Sequence, residues 1–280
     1  MIIVYFTQQL GNQMFQYALG RYLETLGKDV KFWAGYYDKF PNHDFALPRL
    51  FNLSIQEARE EDVQRVLIAR RRITYRVMKR LFKWDRLLIH EMKNGPEAFN
   101  SQVFKLKHGI LNGYWQSEKF FAPIADIIRK EFSFFDPSRR NKELAAEMSG
   151  QTSVSIHVRR GDYAGLYPLL GEEYYTEAMS YFIEKFKEVY FYVFSNDIPW
   201  CMEHLKSEKI SFVDWNTGID SPYDMWLMTQ CKHNIIANST FSWWGAWLNN
   251  NKDKQVIAPK IWDFHNNLNP DIYCQGWIVI

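Results

Sequence analysis

The chain has 280 residues, 47% of them apolar and 17% aromatic, and carries a formal net charge of +2. That length allows one large domain or two of ordinary size, with enough apolar material for real cores. The near-neutral balance does not by itself suggest a nucleic-acid binder, and the local distribution of charge says more than the sum.

Residues Met1–Phe6 are apolar, too short for the core of a signal peptide, and read as a first strand. No run of about 18 apolar residues occurs, so no membrane span is expected. Cys201, Cys231 and Cys274 are odd in number, widely spaced and free of any CxxC pair. They fit a reducing compartment better than a disulfide framework or a zinc site. The expectation is a cytoplasmic protein, peripheral at the inner face of the membrane if it meets a membrane at all.

After the strand at 2–6, a loop with Gly11 leads to an apolar-periodic helix from about Met14 to Leu26, ended by Gly27. Over residues 63–90, Val66, Ile73, Val77, Leu81, Trp84 and Leu88 recur at helical spacing among arginines and lysines, with Asp85 the only acid. Such a helix suits anionic lipid headgroups, or simply a solvated charged face. Gly113–Ser117 reads as a strand end entering a loop, a helix follows at 123–132, and 136–141 read as turn and linker. The domain boundary is placed at 148–149, giving domains 1–148 and 149–280.

Beyond Gly150 the pattern alternates. Strands at 153–158, 189–194, 210–213, 234–237 and 255–258 are separated by helices at 173–187, from Pro199, at 223–231 and at 241–248. Repeated βα units imply a parallel sheet with ligands at the carboxyl ends of its strands. Three polar clusters fall at those ends and should converge: 157–163, 195–197 and 238–242.

The first cluster, His157-Val158-Arg159-Arg160-Gly161-Asp162-Tyr163, gathers two guanidinium groups, an imidazole and a carboxylate after a buried strand. It fits either a phosphate held by planar guanidinium forks or an internal ion pair to Asp162. The second, Ser195-Asn196-Asp197, offers a carboxylate that can read a guanine edge or cap a helix before Pro199. The third, Asn238-Ser239-Thr240-Phe241-Ser242, opens a helix, either as a phosphate site or as plain capping. Trp243 and Trp244 are core or sugar platform. No D-x-D, HExxH, Walker or G-x-G-x-x-G motif occurs, so no metal is expected and the arginines would supply the cations.

Together these segments resemble the α-1,2-fucosyltransferases of glycosyltransferase family 11. The likeness rests on Gly11-Asn12-Gln13-Met14-Phe15-Gln16-Tyr17-Ala18, Gly113–Lys119, His157–Tyr163, Phe194–Asp197 and Asn238–Gly245, in order along nearly the whole chain. Thr7-Gln8-Gln9-Leu10 departs from the usual glycine-rich approach to Gly11. The resemblance implies an α/β, GT-B fold, two Rossmann-like domains facing across a cleft. It also implies inverting, metal-independent transfer from GDP-β-L-fucose to the 2-hydroxyl of a galactoside, free or lipid-linked, with no cofactor and no nucleic-acid partner. Arg159 would hold the β-phosphate, Arg160 and Asp162 would shape its loop, and His157 would approach the fucose or phosphate. Asn196 and Asp197 would read guanine or ribose. Ser239, Thr240 and Ser242 would hold phosphate, while Asn12 and Gln13 would close the site. For the general base, Asp162, His157, Glu172 and Glu173 all stand. The competing readings are another GDP-sugar or linkage, and a non-catalytic glycan- or lipid-binding protein on the same fold.

Overall fold

The computed structural model describes residues 1–71, 89–91, 98–161, 165, 167–263 and 271–280. The chain forms two compact units, Met1–Ser133 with Asn267–Ile272, and Phe134–Asn266 with Tyr273–Ile280. This division lies ahead of the 148–149 boundary expected from sequence. The reason is that 139–149 is helical and packs into the second unit, with Met148 buried beside Tyr192, Phe194 and Leu227. The expected linker therefore starts a helix instead: the Asn141 amide donates to the Ser138 hydroxyl, an N-cap.

The first unit is a parallel sheet in the order β2-β1-β4-β3, with β1 Ile2–Tyr5, β2 Val30–Trp33, β3 Ile89–Glu91 and β4 Gly109–Asn112. Helix α1 spans Leu10–Thr25, so it begins four residues before the expected Met14, and Gly11, Asn12 and Gln13 belong to its first turn. Gly27, at φ +73°, supplies the left-handed turn that ends it. Helix α2 spans Glu60–Arg71 and opens on Glu60, Glu61 and Asp62, acids that favour a helix N-terminus. The single basic helix expected over 63–90 is thereby corrected at both ends: it starts at Glu60, and Ile89–Glu91 pairs as a strand with β4. Residues 72–88 of that stretch lie outside the described residues. Among the described residues, no helix is long and apolar enough to cross a membrane.

The second unit is a parallel sheet in the order β10-β9-β8-β5-β6-β7. Its strands are β5 Ser153–Val158, β6 Tyr190–Ser195, β7 Ile210–Val213, β8 His233–Ile235, β9 Val256–Ala258 and β10 Ile278–Val279. Its helices are α3 Arg139–Ser149, α4 Glu172–Lys185, α5 Ile198–His204, α6 Pro222–Gln230 and α7 Thr240–Leu248. All six residues of β5 are buried, as a strand covered on both faces requires. Val154, Ile156 and Val158 share a core with α4 and α5, while Tyr192 and Phe194 of β6 pack with α3 and α6 on the other face. Trp243, Trp244 and Trp247 are at most 2% exposed, which makes them core rather than sugar platform.

The centre of this sheet carries a buried polar lattice. Asn234 Nδ2 donates to Ser155 Oγ (2.7 Å) and to the Met228 carbonyl (2.9 Å), and Asn249 Nδ2 donates to Asn234 Oδ1 (2.9 Å) and the Cys231 carbonyl (2.8 Å). It ties β5, β8, α6 and the end of α7 in one arrangement, since half-satisfied groups there would be costly. Asn234→Ala leaves buried partners unpaired and should lower stability by about 2 kcal/mol, measured as a reduced thermal midpoint.

Candidate functional site

The carboxyl end of β5 is where the sequence cluster folds into a turn. His157 is 4% exposed, and its ring lies 5.4 Å from that of Phe241 in α7. Burial, with the Arg159 charge added, pushes its pKa down to about 3, so the imidazole is neutral at physiological pH. Its Nδ1 has no hydrogen-bond partner among the described residues. The Arg159 backbone meets the buried Tyr175 hydroxyl.

Arg160 is held from three directions. Its amide donates to Asn196 Oδ1 (3.0 Å), its guanidinium lies 4.1 Å over the Trp200 ring, and its Nε is 3.6 Å from Asp197 Oδ2. Asp197 also caps α5, its Oδ1 accepting from the Trp200 amide at 3.2 Å. The helix-cap reading of Asp197 is thus realised, and its ion-pair partner is Arg160. Gly161 lies close against Asn196: a Cβ there would stand 2.9 Å from its Nδ2, and the amide would have to shift. Asp162 lies outside the described residues. Glu172 and Glu173 sit exposed in the first turn of α4.

At the β8–α7 junction, Ser239 Oγ accepts from the Phe241 amide, a cap. Ser242 is fully buried and donates to the Ala237 and Ser239 carbonyls, so its hydroxyl points inward. Thr240 is half-buried at the first position of α7, the end of a helix whose free amides suit an anion. The structure therefore brings His157, Arg159, Arg160, Asn196, Asp197, Ser239 and Thr240 to one edge of one sheet, and turns Ser242 away from it.

In the first unit, Gln13 is fully buried and satisfied: Nε2 donates to the Gln8 and Asp44 carbonyls, and Oε1 accepts from the Ala46 amide. It shapes the β1–α1 loop and has no polar atom left for a ligand. Asn12 Oδ1 accepts from Gln116 Nε2 at 2.7 Å. Gln16 joins Thr7 at the end of β1 to the Gly113 carbonyl after β4. Gln8 and Trp115, in these two loops, both have positive φ, at 65° and 54°, conformations uncommon for such residues.

Two side chains escaped the sequence reading. Trp200, the platform under Arg160, is signalled only by its position three residues after Asp197. Asp224, in the first turn of α6, has its pKa raised to about 7 by burial and accepts from Asn216 Nδ2 at 2.8 Å. Nothing in its local sequence marks it.

Comparisons with known proteins bear on what this edge serves. The profile described as glycosyl transferase family 11 matches residues 1–280. The chain belongs to glycosyl transferase family 11. The Escherichia coli alpha-1,2-colitosyltransferase is 32% identical over 290 aligned residues, covering 97% of this chain and 96% of that protein. The rat galactoside alpha-(1,2)-fucosyltransferase 1 is 30% identical over 184 residues, covering 60% of this chain and 48% of that one. In structure, the NodZ alpha-1,6-fucosyltransferase soaked with GDP-fucose matches with a TM-score of 0.51 at 15% identity, over 88% of this chain and 91% of that one. The α/β architecture of this family 11 protein is of the GT-B class, and the protein is a glycosyltransferase.

The buried imidazole of this glycosyltransferase has a consequence for acid stability. In the unfolded chain a histidine takes up its proton near pH 6.5, but in the fold His157 does so only near 3. The unfolded state therefore binds more protons in that window, and stability falls as pH drops from about 6.5 toward 3. Relative to His157→Gln, the unsubstituted chain should lose up to about 1.4 kcal/mol per pH unit there, measured by melting from pH 7 to pH 4.

Proposed function

We propose that this glycosyltransferase moves L-fucose from GDP-β-L-fucose to the 2-hydroxyl of a galactoside acceptor, with inversion and without a metal ion. The observation that carries the reading is the Arg159–Arg160 turn at the carboxyl end of β5, beside the N-terminus of α7. In the order β7-β6-β5-β8-β9-β10, successive strands depart in opposite directions from β5 and β8, and ligands of such sheets bind at that reversal. Arg160 is a positioning residue: stacked on Trp200 and paired with Asp197, it fixes the turn. Arg159 on the same turn takes the β-phosphate and stabilises the charge that grows on departing GDP. Thr240 and Ser239 complete the anion site with the α7 amides. The reading assigns the leaving-group charge to arginine. In support, the relatives are named for α-1,2 transfer, and the NodZ structure was soaked with GDP-fucose.

His157 is a poor general base in this site, since a group protonated only near pH 3 accepts protons weakly. It acts as a neutral hydrogen-bonding wall beside the phosphates. Arg159→Ala should lower kcat by about 10³ with the fold intact by circular dichroism, and EDTA should leave the parent rate unchanged. Full activity in the variant, or loss of activity in EDTA, would overturn the corresponding role. NMR of the product tests the linkage.

Guanine presents two parallel N–H donors that match one carboxylate. Asp197, expected for this task, already serves Arg160 and the α5 cap, so Asp224 is the better reader. With its pKa raised to about 7, its carboxyl is only about half ionised near pH 7, and accepting both donors requires the ionised form. GDP affinity should therefore rise from pH 6 to pH 8, and Asp224→Asn should abolish that rise and reduce the preference for GDP over ADP about tenfold, both read by calorimetry.

A second donor has one observation in its favour, the full-length match to a colitosyltransferase. Colitose is L-fucose without its 3-hydroxyl, and competition between the two GDP-sugars decides between them. The acceptor is found by a galactoside screen scored by linkage, with lipid-linked glycans included.

A further inference from the structure

Asn238 follows β8 and is 2% exposed. Its Nδ2 donates to the Pro168 carbonyl at 2.9 Å and to the Trp262 carbonyl at 3.2 Å. Two carbonyls on the nitrogen side fix which way the amide faces, because turning it over would set oxygen against oxygen. Its Oδ1 is then buried without a hydrogen-bond partner among the described residues. A buried acceptor left in this state is unfavourable, and it is relieved by a ligand that donates.

The clamp is anchored in the core on its Trp262 side. Trp262 packs against the core of Ile236, Ala246, Val256 and Ala258, and Pro168 lies on the segment that continues from the Arg159–Arg160 turn toward α4. In doubly wound sheets a two-part ligand spans the reversal point, one half over each side. Asp224, the carboxylate assigned to the base, stands on the β6–β7 side, at the start of the helix that follows β7. Asn238 stands on the β8–β9 side, beyond the phosphate-binding turn, where the other half of the donor must lie. That half is a sugar, rich in hydroxyl donors. The clamped segments also expose Leu169 (41%) and Ile261 (42%), apolar side chains of the kind the methyl group of a 6-deoxy sugar packs on.

We propose that Asn238 recognises the sugar half of the donor, its Oδ1 accepting a hydrogen bond from a hydroxyl of the transferred 6-deoxyhexose. This rests on the GDP-sugar reading above. The test compares calorimetric affinities for GDP and for GDP-β-L-fucose in the parent protein, Asn238→Ala and Asn238→Asp, with melting curves as a check on folding. In Asn238→Ala, GDP should bind within about twofold of the parent, while GDP-fucose weakens about tenfold. Asn238→Asp keeps an oxygen acceptor and should retain the parent ratio of the two affinities, although it loses the clamp. An unchanged ratio in Asn238→Ala, or a parallel fall of both ligands, would mean that the residue only holds its loops and would overturn the proposal. Asn238→Leu, close in size and without an acceptor, carries the same expectation if the alanine variant is unfolded. Failure of the parent protein to bind GDP would remove the GDP-sugar reading and this proposal with it, a result separate from any effect of the substitutions.

Discussion

The hydrogen bond from the Arg160 amide to Asn196 Oδ1 is the constraint on which the functional edge depends. It closes the turn after β5 against the turn after β6, two strands already paired from Ser153↔Tyr190 to Val158↔Ser195. Once the amide is in place, Gly161 lies close against Asn196, Arg160 lies over Trp200, and Asp197 serves both a cation and a helix end. A guanidinium on an aromatic face beside a carboxylate is a stable arrangement. The turn can therefore keep its shape before any anion arrives, and the neighbouring guanidinium of Arg159 is presented by a preformed backbone. Pre-organisation of this kind lets a site stabilise developing charge without rearranging at the moment of reaction.

The second half of the chain was legible because its strands are short apolar runs ended by polar clusters. Strands 153–158 and 210–213 fall where the periodicity puts them. The first half was less legible. Strand β2 alternates Val30, Lys31, Phe32 and Trp33 over four residues, too short a run to register. The start of α1 was misplaced because Gln9 has no side-chain cap bond to mark it. Helix α3 was hidden by Pro137 and a polar run, yet Ser138 supplied the cap that a closer reading of spacing would have found.

The candidate residues divide in a physically understandable way. Side chains at strand ends were identified because guanidinium, carboxylate and imidazole groups are conspicuous there. Their individual partners were not readable, since Trp200, Asn238 and Asp224 act through contacts made across the fold. Gln13 and Gln16 belong to a strongly marked segment, but the structure uses them as internal braces, donating to carbonyls of the segments after β1, β2 and β4. Such glutamines let two loops hold left-handed residues, Gln8 and Trp115, that would otherwise relax.

Neither unit is one unbroken stretch of sequence. Asp271 belongs to the first unit, where it pairs with Lys119 and accepts from the Phe99 amide, while Ile278–Val279 complete the sheet of the second beside β9. The last residues of the chain are thus stitched into both. A chain shortened before residue 267 would lose an edge strand from one sheet and a charged anchor from the other. The two units are consequently poor candidates for separate expression cut at residue 133, and a protease that clips the C-terminal tail would loosen both at a single stroke.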